Sequence, residues 1–443
     1  MATPPAAPDP QALLRSPQYL RLLVLAAIIG VPVSVASYGF LAVVDQLQTA
    51  LFETIPQELG FNTTPTWWPV PLLALAGLLV ALSITYLPGI GGHSPVDGFK
   101  PGGVFPPREL PGMVLAAMAG LSFGVVLGPE APLILLGSGL GALAVRLAAR
   151  DAPDTARAVI AGAGSFAAIS SLLGSPLLGA FLLLEASGLG GAMLGVVLVP
   201  GLLSAGIGTL IFVGLDSLTG LGTLSLAIPG VPEFGSPTVA MFGWSIAFGL
   251  VAPFLGRGIQ SLALLIRPHV DPRRVLAMPV LGLVIGGLAF GFAEATGKGF
   301  SQVLFSGQSG LGPLIGHAAD WSVGALLLLV LCKSLAYAVA LSSFRGGPVF
   351  PAMFIGAAAG IAASHLPGLE LVPGVAMGIG AMCTVMLSLP LTSTLLATLL
   401  LGTQGLNVMP LVIVAVVVAY VVSARLTPAA PTAASAPAAA PPP

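Results

Sequence analysis

Charge is what this chain has least of. Only 7% of its 443 residues are Asp, Glu, Lys or Arg, where a soluble domain carries about 25%. A chain so poor in charge cannot cover itself with a water-compatible surface. Its formal net charge of -1 gives no basic face and no case for a nucleic-acid partner. Cysteine is nearly absent. Cys332 and Cys383 both sit in apolar runs, without metal-ligand spacing or a disulfide framework, so neither metal nor other cofactor is expected. No Gly-x-Ser-x-Gly elbow, His-Glu-x-x-His or paired intramembrane Asp is present, which makes an intramembrane enzyme the least supported reading. Residues 1–10 are Pro/Ala-rich and lack a basic start, so no cleavable signal peptide is expected.

Apolar residues dominate instead: 56% of the chain, with mean hydropathy +1.02. These values indicate an all-α, multi-pass integral membrane protein whose surroundings are a lipid bilayer, with the plasma (inner) membrane expected. The 58 Gly and 41 Pro interrupt Leu/Val/Ala runs. In an apolar chain this points to close helix packing and broken helices. Many runs are shorter than the roughly 20 residues a full crossing needs, the pattern of tilted and half-crossing helices.

Five segments are expected. Residues 1–18 read as a disordered lead-in, 19–215 as a first membrane half, 216–237 as a linker, 238–425 as a second half, and 426–443 as a disordered Pro/Ala tail with no appended soluble domain. Arg15 and Arg21 precede or open the first span, about Leu20 to Val44. Glu53 and Glu58 follow it, in an expected loop, which puts the N-terminus in the cytoplasm. By the same rule Arg267–Arg274 reads as a cytoplasmic loop.

One stretch organises the rest, Gly128-Pro129-Glu130-Ala131-Pro132. It holds the only carboxylate between Leu110 and Arg150. Gly-Pro ends the preceding helix, and the apolar run after Pro132 starts a new one. Glu130 therefore stands in the first turn of a helix that begins inside the membrane. Such a break is tolerated only where protein or a wet cavity surrounds it, and an intramembrane carboxylate is a functional candidate by default.

The break recurs. Gly128-Pro129-x-x-Pro132 with Gly137 and Gly141 matches Gly347-Pro348-x-x-Pro351 with Gly356 and Gly360, in register at all five positions. A weaker echo aligns Gly162, Gly164 and Pro176 with Gly378, Gly380 and Pro390. Matched breaks in two halves are the best sequence pointer to a transporter-type ion site. Each helix start presents unpaired N–H groups and partial positive charge, and two such ends could hold an anion without Lys or Arg.

With these motifs the chain resembles the CLC family of chloride channels and proton-coupled chloride exchangers, as a divergent prokaryotic-type member. Three anion-site loops can be placed: Gly128–Pro132, Gly346–Pro351 and the early loop Gly91-Gly92-His93-Ser94-Pro95. The resemblance implies two inverted-topology halves, a homodimer with one pore per subunit, and transport of chloride or a similar small anion, either passively or in exchange for protons by a non-standard path. The family's gating carboxylate maps onto Glu130. The anion path is expected along Gly128, Pro129 and Ala131, along Gly92, His93 and Ser94, and along Gly347, Val349 and Phe350.

Departures from the family pattern are specific. Its ion-binding Ser falls at Gly92; Ser94 either replaces it or caps the next helix. Its ion-contacting Tyr, anchored on Pro410, falls at Gly405. Of its two adjacent inner acids, the proton-transferring one falls at Ala186 and its neighbour at Glu185, which remains the candidate for any proton path. Arg345 and His93 could add positive potential to a vestibule, or snorkel and hydrogen-bond locally. Lys333 and Tyr337, one helical turn apart, could line a vestibule or face water.

Overall fold

In the structure, a computed structural model, the described residues are 15–99, 103–148, 151–188, 192–220, 228 and 230–427. Most of the expected lead-in and tail, and residues 221–227 and 229 of the expected linker, lie outside them. Residues 15–18 already belong to a helix start, where the Ser16 hydroxyl accepts the N–H of Tyr19.

The first half contains α1 (Pro17–Thr49), α2 (Pro69–Tyr86), α3 (Leu110–Ser122), α4 (Glu130–Ala148), α5 (Asp154–Leu173), α6 (Pro176–Ser187) and α7 (Ala192–Thr219). The second contains α8 (Val239–Val270), α9 (Arg274–Thr296), α10 (Gln308–Gly316), α11 (Val323–Ser343), α12 (Val349–Ser364), α13 (Leu371–Leu387), α14 (Pro390–Leu400) and α15 (Gly405–Leu426). Among the described residues, eight helical stretches are long and apolar enough to cross a membrane, and α6, α12, α13 and α14 are shorter. This is the all-α, broken-helix architecture expected from the run lengths.

Two expected loops are helical. α1 continues through a π turn, Ala50–Thr54, and a further turn, Ile55–Glu58, so Glu53 and Glu58 ride on helix. The basic connector is the end of α8, one 3-10 turn at Asp271–Arg273 and the start of α9. Charge stops a segment from being buried in lipid, but it does not stop the backbone from coiling. α7 likewise runs four residues past the expected boundary at 215, to Thr219.

The repeated glycines explain how each break is held. A Cβ on Gly137 would meet the backbone carbonyl of Gly164, and one on Gly356 would meet that of Gly378. Gly141 abuts Ile160 and Gly360 abuts Gly374 in the same way. In each half the helix that starts at the break thus lies backbone to backbone on the next helix, α4 on α5 and α12 on α13. These contacts also correct the echo. Gly164, not Gly162, is the partner of Gly378, and each stands twelve residues before its proline, Pro176 or Pro390. A side chain here has nowhere to go. Gly137→Val or Gly356→Val is expected to cost about 1–3 kcal/mol or more by overpacking, read as a lower melting temperature in detergent.

Candidate functional site

The two breaks meet. Gly128 and Gly347 form an antiparallel backbone pair: the Gly128 N–H donates to the Gly347 carbonyl (2.8 Å), and the Gly347 N–H donates to the Gly128 carbonyl (2.6 Å). The pair holds the starts of α4 and α12 beside one another, although 219 residues separate the two glycines.

Proline placement decides which donors remain. Pro129 and Pro348 stand immediately before α4 and α12, and Pro132 and Pro351 take the third position of each. None has an N–H. Of the four donors a helix start leaves open, only two survive in each half: those of Glu130 and Ala131, and those of Val349 and Phe350.

Glu130 uses the opposite half's pair. Its Oε1 accepts the N–H of Phe350 at 2.9 Å, and the side chain has 0% exposure. Oε2 has no hydrogen-bond partner among the described residues. The carboxylate lies over both glycines of the backbone pair, where a Cβ on either Gly128 or Gly347 would collide with it. A first-half carboxylate therefore occupies the anion-favouring end of a second-half helix, with one oxygen left unsatisfied.

Cavities lie on both sides. One of about 160 Å³ is lined by Pro129 and Leu127 together with Tyr38, Gln48 and Gln308. Another, of about 30 Å³, is lined by Ala131, Gly346 and Pro348 with His93 and Ser94 of the early loop. The residue before Glu130 borders the first and the residue after it borders the second. All three loops singled out in the sequence converge here.

Several expected contacts are spent elsewhere. The Gly128 and Gly347 amides bond to each other, and the Gly92 N–H closes a turn onto the Gly89 carbonyl at 2.9 Å. Gly92 has φ +89°, and a Cβ there would press on Leu135 and Met113, so its role is to make the turn. Pro129 contributes its carbonyl, which accepts the N–H of Leu133 at 3.0 Å. Donors for an anion remain at Ala131, Val349 and Phe350, the last two directed at the Glu130 carboxylate, with the Ser94 side chain at the cavity wall. Gly405 opens α15 tight against the Thr398 carbonyl, which leaves no room for a side chain where the family's Tyr aligns. Instead Tyr337, on α11, reaches the site through space and donates to the Pro348 carbonyl at 2.9 Å. The sequence set Tyr337 one helical turn from Lys333 but did not link it to the break, because a contact between helices carries no local periodicity.

Neither Lys333 nor Tyr337 faces water; both are fully buried. Arg345 is buried too. It donates to the Ile90 carbonyl (3.1 Å) and to those of Ser343 (3.0 Å) and Phe344 (3.1 Å), capping the end of α11 and tying the early loop to the second break. His93 is exposed. Glu185 accepts the N–H groups of Leu391 (2.8 Å) and Thr392 (2.7 Å) and the Thr392 hydroxyl (2.6 Å). Like Glu130, it is a first-half carboxylate on the start of a second-half helix, here α14. Among the described residues no group of His, Cys, Asp and Glu could hold a metal ion.

Residues 95–424 match the family described as voltage gated chloride channel. The chain belongs to that family. It is 29% identical over 378 residues to the putative ion-transport protein YfeO of Escherichia fergusonii, covering 83% of this chain and 84% of that one. The same protein of Escherichia coli strain SE11 matches to the same extent. Its fold is similar to that of a slow cyanobacterial Cl-/H+ antiporter, with TM-score 0.72 and 19% identity over 92% of this chain and 95% of the other. It is also similar to that of a CLC-type fluoride/proton antiporter, with TM-score 0.66 and 18% identity over 91% and 95%. This family member shares the architecture of both solved proteins along nearly its whole length.

Proposed function

We propose that this protein carries chloride or a similar small anion across a membrane, between the two cavities and past Glu130, which gates. One observation carries the reading: a carboxylate seated on the Phe350 amide, over two glycines, in a site with no Lys or Arg at hydrogen-bond distance among the described residues. A place that suits a carboxylate at a helix start suits a halide equally. When Glu130 is protonated it loses the charge that holds it there, swings away and leaves the Val349 and Phe350 amides to the anion. Ala131, His93, Ser94 and the backbone of Gly92, Gly128, Pro129 and Gly347 form the walls.

The domain limits follow the halves, with the linker beginning after Thr219. The N-terminus and the α8–α9 connector face the cytoplasm, the membrane is the plasma membrane, and two copies associate, each with its own path. No chemical step is assigned to the protein.

Proton-coupled exchange has one observation in its favour. The group that blocks the path is itself titratable, so each opening carries a proton. Reconstitution in liposomes with chloride and proton fluxes recorded together separates the two modes. Proton movement on imposing a chloride gradient marks exchange, and chloride flux without it marks a channel. Absence of any anion flux overturns the reading.

Glu185 serves as the cap of α14. Glu185→Gln removes the charge and turns one of the two accepting oxygens into an N–H donor, and is expected to destabilise the protein by about 1–3 kcal/mol without loss of anion flux. An unchanged melting temperature with proton flux abolished would make it part of a proton path instead.

A further inference from the structure

Lys333 has no exposed surface, and no carboxylate lies at ion-pair distance from it among the described residues. Its Nζ donates to the carbonyls of Gln302 (3.0 Å), Val303 (3.1 Å) and Leu304 (3.0 Å), and lies 4.3 Å from the centre of the Phe354 ring. These three acceptors match the three N–H groups of an ammonium, with the Phe305 carbonyl a more distant fourth at 3.5 Å, whereas a neutral amine has only two N–H groups to offer. The ring face also favours a cation. The arrangement is built for the charged form.

Carbonyl dipoles orient around that charge but do not cancel it, and a buried charge without a counter-charge is costly. The place of Lys333 in the fold says where the counter-charge lies. Phe354 is one turn along α12 from Phe350, whose N–H holds Glu130. Tyr337 is one turn along α11 from Lys333, and its hydroxyl bonds to Pro348, directly before α12. The ammonium thus stands behind the anion-facing end of α12. Of the charges that flank the early loop, Arg267 pairs with Asp97 at 2.6 Å and Arg274 with Asp271 at 3.0 Å, while Arg345 caps the carbonyl end of α11 at Ser343 and Phe344.

We infer that Lys333 is a fixed positive charge that raises the anion affinity of the path. Its balancing charge is whichever group occupies the Val349 and Phe350 amides, the Glu130 carboxylate or the transported anion. Lys333 does not touch the anion; it acts through its field across one helix turn. The inference rests on the proposed function.

The test is calorimetric titration of the purified full chain with sodium chloride, in a Glu130→Gln background that removes the competing carboxylate. Lys333→Met is expected to weaken chloride binding about tenfold, the order a unit charge at this remove produces in a partly screened interior. Lys333→Gln keeps N–H donors for the carbonyls without the charge. It should weaken binding equally, and it serves where the Met variant does not fold. Lys333→Arg should bind within about twofold of the background, since it restores the charge. Chloride binding by Lys333→Gln as tight as in the background, with only a lower melting temperature, overturns the inference and makes Lys333 a clamp on residues 302–304. An Arg variant that folds yet binds as weakly as Gln overturns it as well. A Glu130→Gln protein that binds no chloride overturns the proposed function, and this inference falls with it.

Discussion

Glu130→Gln is expected to raise anion flux about tenfold and to remove its dependence on pH, with the fold intact. In the parent protein the carboxylate competes with the anion for the Phe350 amide. Hydrogen bonds to a charged acceptor are worth about 1.5–3 kcal/mol, against about 0.5–1.5 for a neutral one. Gln, like protonated Glu130, has no charge to hold it on that N–H, and the anion that replaces it caps the helix start. What Gln loses is the excess that let Glu130 exclude a halide. The sign of the pH effect in the parent follows: flux rises as pH falls, because each protonated Glu130 vacates the site. Liposome flux at several pH values checks both points. Unchanged flux with only a lower melting temperature would mean that Glu130 is no more than a cross-half cap.

Gly347→Ala is the opposite case. Its new methyl would stand where the Glu130 carboxylate now sits. In a protein that also carries Glu130→Ala the carboxylate is gone, but the methyl still fills the anion's place and lies 3.1 Å from the Ala131 nitrogen. Overpacking of about 1–3 kcal/mol at the binding position should cut flux about tenfold or more in both backgrounds. Gly258→Ala, with nothing within 4 Å of its added methyl, is the control and should leave flux unchanged. Full flux through Gly347→Ala would move the anion path away from the backbone pair.

Much of this site could be read from the sequence because it depends on local chemistry. A Gly-Pro break, a lone carboxylate after it and a second break in register are properties of short stretches. They placed Glu130 at a helix start and named the opposing amides of Val349 and Phe350. What could not be read is which donors are already taken. Gly128 and Gly347 look alike in sequence whether they bind an ion or each other, and the reciprocal pairing appears only when the halves are brought together. The early loop shows the same limit: Gly92 is required, but for its turn.

Long-range partners were hidden for a related reason. Glu185, the candidate for a proton path, has its carboxylate held by the start of α14, over two hundred residues away. Lys333 in an apolar run suggested water nearby. Its actual solvent is a row of backbone carbonyls from a turn 28 to 31 residues upstream. The two-residue slip in the repeat arose because Gly is abundant near Pro176 and Pro390, and only the backbone contact with Gly137 or Gly356 selects the right one.

Anomalous diffraction from bromide-soaked crystals of Glu130→Gln tests the central claim most directly. A bromide peak within hydrogen-bond reach of the Val349 and Phe350 nitrogens, in the space the carboxylate has left, is the predicted result. An empty site there, with bromide bound at Lys or Arg side chains elsewhere, would contradict it.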